Sequence, residues 1–317
     1  MYKDKTVCVV VPAFNEERLI EQVVGTVPSF VDHIVVVDDA STDGTYTAVK
    51  SLQEEQGDRL VLFHHDSNQG VGGARVTGFK WALGQGTDVI ATMDADGQMD
   101  PSSLEALVEP VADGVVDYAK GNRLFSGEAW QRTPKLRYLG NAVLSLLTKI
   151  ASGYWHIADS QTGYTAINRR MLQLVNWDAA YKRYGCPNDY LVRLNVLGAR
   201  VRDVPIDAIY DSGQRSSMKV HRVIPRIAWL LAKLFVWRLW QKYVIRDFHP
   251  LVFFYLFGLV NTIVSLFLFC RLIVLWCRQG NAPALTALAL GIFSMMAVLF
   301  TVFAMWFDME ENRHLRG

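Results

Sequence analysis

The 317-residue chain has almost no net charge: 32 Lys and Arg against 31 Asp and Glu leave +1, which excludes a global electrostatic pull toward nucleic acid. Cysteine is scarce. Cys8, Cys186, Cys270 and Cys277 have no metal-ligand spacing and read as isolated thiols of a reducing compartment. The glycines at Gly70, Gly72 and Gly73 are not followed by Gly-Lys-Ser/Thr, which excludes a phosphate-binding P-loop. Internal repeats and low-complexity tracts are missing. The start, Met1-Tyr2-Lys3-Asp4-Lys5, runs into a strand with no visible signal peptide. The apolar excess (51% hydrophobic, 12% aromatic) lies mostly after residue 227, and the first two hundred residues read as an ordinary soluble domain.

Residues 6–11 (TVCVVV) are β-branched and apolar throughout, as in a strand buried on both faces. Pro12-Ala13-Phe14-Asn15-Glu16 breaks it. Leu19, Ile20, Val23, Val24 and Val27 then form the stripe of a helix that Pro28 stops. The pattern predicts strands over 33–38, 59–63 and 88–93, with helices from about Gly44 to Gln56 and from the glycine turn to near Gly84. Pro101 suits the first position of the next helix. Further on, strands are expected near 116–121 and 162–168 and helices near 135–151 and 188–198. Alternating strands and helices predict a parallel sheet flanked by helices, with ligands beyond the carboxyl ends of the strands. Asn15, Asp38, Asp39, Asp94 and Asp96 all fall at such ends.

Residues 251–270 contain no charge, and 284–307 form a second apolar run. Twenty helical residues cover roughly 30 Å, the thickness of a bilayer's hydrocarbon. Both read as transmembrane helices, with Arg271 snorkelling to the far interface beside Trp276. Basic residues crowd the approach (Lys219 to Arg246) and the tail (Arg313, Arg316), while the connector 278–283 carries only Arg278, so both ends are expected in the cytoplasm. Over 222–246, Trp229, Trp237 and Trp240 alternate with cations. Arg222, Arg226 and Lys233 share one helical face and Arg238, Lys242 and Arg246 another, the pattern of interfacial helices lying on a bilayer.

The chemistry centres on Asp94-Ala95-Asp96-Gly97-Gln98. If the backbone stays extended there, Asp94, Asp96 and Gln98 share a side, and their oxygens suit Mg²⁺ or Mn²⁺ bridging a diphosphate. The bland alternative is a solvated turn capping the next helix. Asp38 and Asp39 are offered to a ribose or base, or to a helix cap; Asn15 and Glu16 carry the same ambiguity. Arg75 is set against the acidic centre or a phosphate. His64-His65-Asp66 lacks further ligands at a sensible spacing and is discounted as a metal site.

Val11-Pro12-Ala13-Phe14-Asn15-Glu16, Val37 to Thr45 and Asp94 to Gln98 resemble family 2 glycosyltransferases of the α/β, Rossmann-like GT-A fold. Gly121-Asn122-Arg123, Asp159 to Tyr164 and the closing apolar pair narrow the resemblance to polyprenyl-phosphate glycosyltransferases, the group of dolichol-phosphate mannose and glucose synthases and their bacterial undecaprenyl counterparts. The Gln-x-x-Arg-Trp motif of processive synthases is absent. The basic loop reads Arg215-Ser216-Ser217-Met218-Lys219 where the group often has Gly-x-Ser-Lys.

The resemblance implies an inverting transfer of a hexose from a UDP- or GDP-sugar to a polyprenyl phosphate. Pro12, Ala13, Asn15, Glu16, Asp38, Asp39, Arg75, Asp94 and Ala95 would line the donor. A lipid phosphate is largely ionised at cytosolic pH, with a second pKa of about 6, so it needs cations rather than a base. Arg123, Arg137, Arg215 and Lys219 are the candidates, with Asp159 orienting an Arg or a sugar hydroxyl and Asp189 a weaker candidate for that role. The expected division is a catalytic domain over 1–214, a basic loop with amphipathic helices over 215–249 and two transmembrane helices over 250–317. The expected setting is a bacterial inner membrane or ER-type membrane, with homo-oligomerisation left open. The rival readings are a hydroxyl acceptor, a sugar nucleotidyltransferase and an inactive scaffold.

Overall fold

The computed structural model describes residues 1–124, 135–207, 209 and 220–317, and for 135–139, 141 and 220–224 the backbone alone. The strands are β1 (Val7–Ala13), β2 (His33–Asp38), β3 (Leu60–His64), β4 (Val89–Thr92), β5 (Tyr118–Asn122), β6 (Thr165–Asn168) and β7 (Val201–Pro205). The helices are α1 (Ile20–Gly25), α2 (Thr45–Gln56), α3 (Val71–Gly84), α4 (Leu104–Ala112), α5 (Lys135–Ser152), α6 (Arg169–Leu174), α7 (Cys186–Val196), α8 (Val220–Trp240), α9 (Leu251–Gln279) and α10 (Ala284–Glu311).

The strands form one sheet in the order β3-β2-β1-β4-β6-β5-β7. All seven residues of β1 are buried, because the sheet is covered on both faces. Val7, Val9 and Val11 pack with Ile20, Val49 and Leu107 on one side; Cys8 and Val10 pack with Ala74, Phe79 and Leu191 on the other. Each fully buried valine contributes about 1.5–3 kcal/mol. Ala13 lies opposite Asp38, and Asp38 opposite His64, so β1, β2 and β3 end level with one another. That register gathers their terminal loops at one edge.

One expectation is corrected here. The sheet is mixed: β6 runs antiparallel between β4 and β5. Ties at its start fix the direction. Thr165 Oγ1 lies 2.8 Å from Thr92 Oγ1, which donates 2.5 Å to the Gly163 carbonyl at the end of β4.

The chain divides into two compact units, Met1–Phe235 with His314–Gly317, and Val236–Arg313. In the first, Leu315 is 1% exposed in the core and Arg316 bridges Val201. In the second, α9 and α10 pair along their length, and Gly258 leaves room for the Thr301 backbone. Both are long and apolar enough to cross a membrane. At 29 residues α9 is about 44 Å long. It therefore outruns the expected span and passes through Arg271 to Gln279, where Gly280, at φ +74°, ends it. Arg238 corrects another expectation. It leaves the basic interfacial face and is 0% exposed, gripping both oxygens of Asp308 at 2.8 and 2.9 Å. Tyr243 donates to the same carboxylate, and Lys242 donates to Asn312.

Candidate active site

Asn15 and Ala40 are left-handed, at φ 59° and 62°. Asparagine tolerates that region; alanine there is strained and marks a turn held by its surroundings. The Asn15 amide oxygen accepts from Thr42 N at 2.8 Å and the Asn15 N–H donates to Ser41 Oγ at 2.9 Å, so the loops after β1 and β2 are bound together. Both Glu16 and Glu17 tie to the start of α2: Glu16 N donates to Thr45 Oγ1 at 2.8 Å, and the Glu17 carboxylate accepts from Gly44 N at 2.7 Å. Pro12, Ala13 and Ala95 are buried at the base of these loops.

The adjacent aspartates point into the protein. Asp38 is 0% exposed, with His64 Nδ1 at 2.7 Å and Ser41 N at 3.2 Å. Asp39 accepts from Gln69 N and Gly70 N at 2.8 and 2.7 Å and meets His65 Nδ1 at 2.7 Å; His65 Nε2 continues to Thr77. Asp39 thus fixes the turn entering α3, Asp38 holds the turn after β2, and the two histidines serve those carboxylates. The glycines of that turn answer to a close crossing. A Cβ on Gly70 or Gly72 would come within 2.5 Å of the Lys182 or Tyr181 carbonyl. Asp189 anchors the crossing segment, accepting from Tyr181 N at 2.7 Å and Arg193 Nε at 2.9 Å.

After β4 the backbone turns instead of staying extended. Gly97 is left-handed at φ 67°, and Asp96 Oδ1 accepts from Gln98 N at 3.0 Å. The two-residue periodicity that aligned Gln98 with the aspartates therefore does not apply. Asp94 Oδ1 takes a 2.5 Å hydrogen bond from the buried Arg75. Burial first, and the Asp94 carboxylate second, raise the Asp96 carboxyl above its ordinary value. Two crowded carboxylates supply hard oxygen donors suited to Mg²⁺ or Mn²⁺. Among the described residues no third His, Cys, Asp or Glu joins them. A cation there fits if diphosphate oxygens and water complete its shell.

Facing them, Arg123 reaches Asp159 with Nε at 2.7 Å and Nη2 at 3.2 Å. Burial pushes the Asp159 carboxyl up, but Arg123 outweighs it and holds the group below its usual value. Arg123 also lowers Asp96, so the two centres share a field. Arg137 lies in the first turn of α5, its side chain outside the description; Arg215 and Lys219 lie outside the described residues.

Sequence reasoning missed several residues. A Cβ on Gly163 would strike the Arg75 guanidinium and lie 2.8 Å from Asp94 Oδ2, so only glycine fits. In the sequence it stood only as a member of the Asp159–Tyr164 motif, with no role of its own. Lys120 is 0% exposed inside β5, and Asp203, in β7, accepts from Ala158 N at 2.7 Å and Asn122 Nδ2 at 3.1 Å.

Residues 8–175 match the profile of glycosyl transferase family 2. The chain belongs to this family, has the GT-A fold and is a glycosyltransferase. Over 219 residues it is 32% identical to the UDP-N-acetylglucosamine–dolichyl-phosphate N-acetylglucosaminyltransferase of Methanococcus voltae, a match covering 65% of this chain and 87% of the relative. Over 203 residues it is 34% identical to the undecaprenyl-phosphate mannosyltransferase of Micrococcus luteus, covering 63% and 82%. The glucosyl-3-phosphoglycerate synthase of Mycobacterium tuberculosis, solved with Mn²⁺, UDP and glucosyl-3-phosphoglycerate, shares the fold at TM-score 0.53 and 19% identity, over 74% of this chain and 80% of that one.

Proposed function

We propose that this enzyme transfers a hexose from a UDP- or GDP-sugar to a polyprenyl phosphate at the cytoplasmic face of a membrane. A lipid phosphate oxygen attacks the anomeric carbon in line, the bond from that carbon to the diphosphate breaks, and the nucleoside diphosphate leaves with its electron pair, inverting the centre. The observation that carries this reading is the Arg123–Asp159 pair. Asp159, held ionised by Arg123, is a poor base, and Asp189 is already tied to Arg193 and a backbone N–H. That suits an acceptor that arrives ionised better than a hydroxyl that must lose a proton.

Arg123 presents positive charge to the acceptor phosphate, with Arg137, Arg215 and Lys219 as further candidates. Asp94 and Asp96 would hold Mg²⁺ or Mn²⁺, which when bound neutralises charge on the departing diphosphate. Arg75 holds Asp94 in place through their ion pair. Asn15, Glu16 and the loops that Asp38 and Asp39 shape line the nucleotide. The relatives named above carry polyprenyl-phosphate acceptors in their names, which supports the acceptor class. Basic residues crowd both flanks of the apolar pair and are sparse in its connector, and that bias supports a cytoplasmic catalytic unit.

The test is incubation of membranes containing the enzyme with radiolabelled nucleotide sugars and a polyprenyl phosphate. Label in an organic-extractable, alkali-stable phosphodiester is the expected result. Label transferred only to a hydroxyl-bearing lipid, or only released as free sugar, rejects the acceptor assignment.

A further inference from the structure

Six consecutive residues, Asp159–Tyr164, touch both sides of the site. Asp159 grips Arg123. Gln161 Nε2 donates to Asn188 at 3.1 Å. The Gly163 carbonyl accepts from Thr92, and its Cα lies against Arg75 and Asp94. Tyr164 accepts from Gly121 N at 2.9 Å and donates from its hydroxyl to the Asp100 carbonyl at 3.0 Å. A further tie is the Thr162 carbonyl, which accepts from Lys120 Nζ at 2.6 Å.

Lys120 is unusual for its place. It sits inside β5 with no exposed surface. A buried ammonium is expensive, and an apolar side chain would fill a strand interior at less cost. The charges that bear on it are Asp159 and Asp203, which favour the ammonium, and Arg123 and Arg75, which oppose it. It thus shares the field of the Arg123–Asp159 pair while bonding to the loop that carries Asp159.

We propose that Lys120 is a positioning residue: its ammonium fastens the Asp159–Tyr164 loop so that Asp159 holds Arg123 toward the acceptor phosphate. This rests on the polyprenyl-phosphate reading above. Burial lowers the Lys120 ammonium to about 8, despite the pull of Asp159 and Asp203. The fastening is therefore largely in place near neutrality and loosens as pH rises through about 8, a range in which the phosphate, with a second pKa of about 6, is already ionised.

The experiment measures KM for a short-chain polyprenyl phosphate in detergent between pH 6.5 and 9.5, for the full chain and for Lys120→Met. In the unaltered enzyme the acceptor KM rises above about pH 8. In Lys120→Met it is already raised about tenfold at pH 7, does not rise further, and leaves donor KM unchanged. A flat acceptor KM in the unaltered enzyme overturns the proposal, and this readout stands even if the variant fails to fold. So does a folded Lys120→Met, checked by thermal unfolding, whose acceptor KM and pH profile match the parent. Normal parent turnover with an unchanged variant sinks Lys120 alone; no parent turnover with any polyprenyl phosphate sinks the functional reading as well.

Discussion

The β1–β4 half of the sheet keeps charge out of its strand interiors, while the β5–β7 half builds charge into them. β1 reads VCVVVPA and β4 VIAT, and the carboxylates of that half sit at strand ends, where loop amides and histidines receive them. β5 reads YAKGN and β7 VRDVP, and Lys120, Asn122 and Asp203 lie within the sheet itself. On the proposed reading, the difference follows from what each half would hold. A nucleotide diphosphate can be met by loops and a cation above a rigid apolar platform. A phosphate dianion needs fixed positive charge, and fixed positive charge in a protein interior needs acids behind it. The first half is held by apolar packing; the second carries an ionic network within its strands.

Chemistry should therefore fail most completely in the first half. Asp96→Ala is expected to lower kcat at least about a thousandfold with the fold intact, and a chelator should do the same to the parent enzyme. Full activity in chelator would reverse the assignment of roles to the two halves. A smaller loss is expected at the seam. Gly163→Ala drives a methyl into the Arg75–Asp94 pair and should reduce turnover about a hundredfold, since displacing Asp94 by a fraction of an ångström disturbs Asp96 too. Steady-state kinetics with thermal melting separates this from unfolding. If Gly163→Ala keeps normal turnover, the two halves work independently.

Legibility in the sequence followed the same division. β1, β2 and β4 are runs of β-branched residues whose ends are marked by polar turns, so the donor edge could be read locally. The detail that failed there, an extended Asp94–Gln98, depended on the left-handed Gly97, and glycine does not advertise which conformation it takes. Arg123 and Asp159 were both foreseen, but their pairing spans 36 residues and passes through segments whose direction was misread. Lys120 carries no local signal that sets it apart from any other strand lysine. Its burial depends on an antiparallel neighbour and a loop that arrive more than forty residues later. Arg238 looked like a membrane-surface cation for the same reason: its partner, Asp308, lies 70 residues away. Local pattern finds strand ends; it does not find charges that are buried because something distant neutralises them.

The gentlest test concerns stability in the charged half. Burial raises the Asp203 carboxyl from 3.8 to about 6 in the folded state. Between those values the folded chain binds more protons than the unfolded one, so folding stability falls as pH rises from about 4 to about 6, and the full penalty persists above that. Asp203→Asn removes the ionisation and can still accept from Ala158 N, although the contact with Asn122 is weakened. At pH 7.5 the variant should be more stable than the parent by about 1 kcal/mol, a rise in Tm of roughly 2–4 °C, and at pH 4.5 the gain should shrink. Thermal melting of both proteins at the two pH values decides it. A variant equally or more strongly destabilised at pH 7.5 than at pH 4.5 would mean that the Asp203 carboxylate is wanted charged, as part of the network that holds Lys120. The charged half would then be stabilised by its ions instead of merely tolerating them.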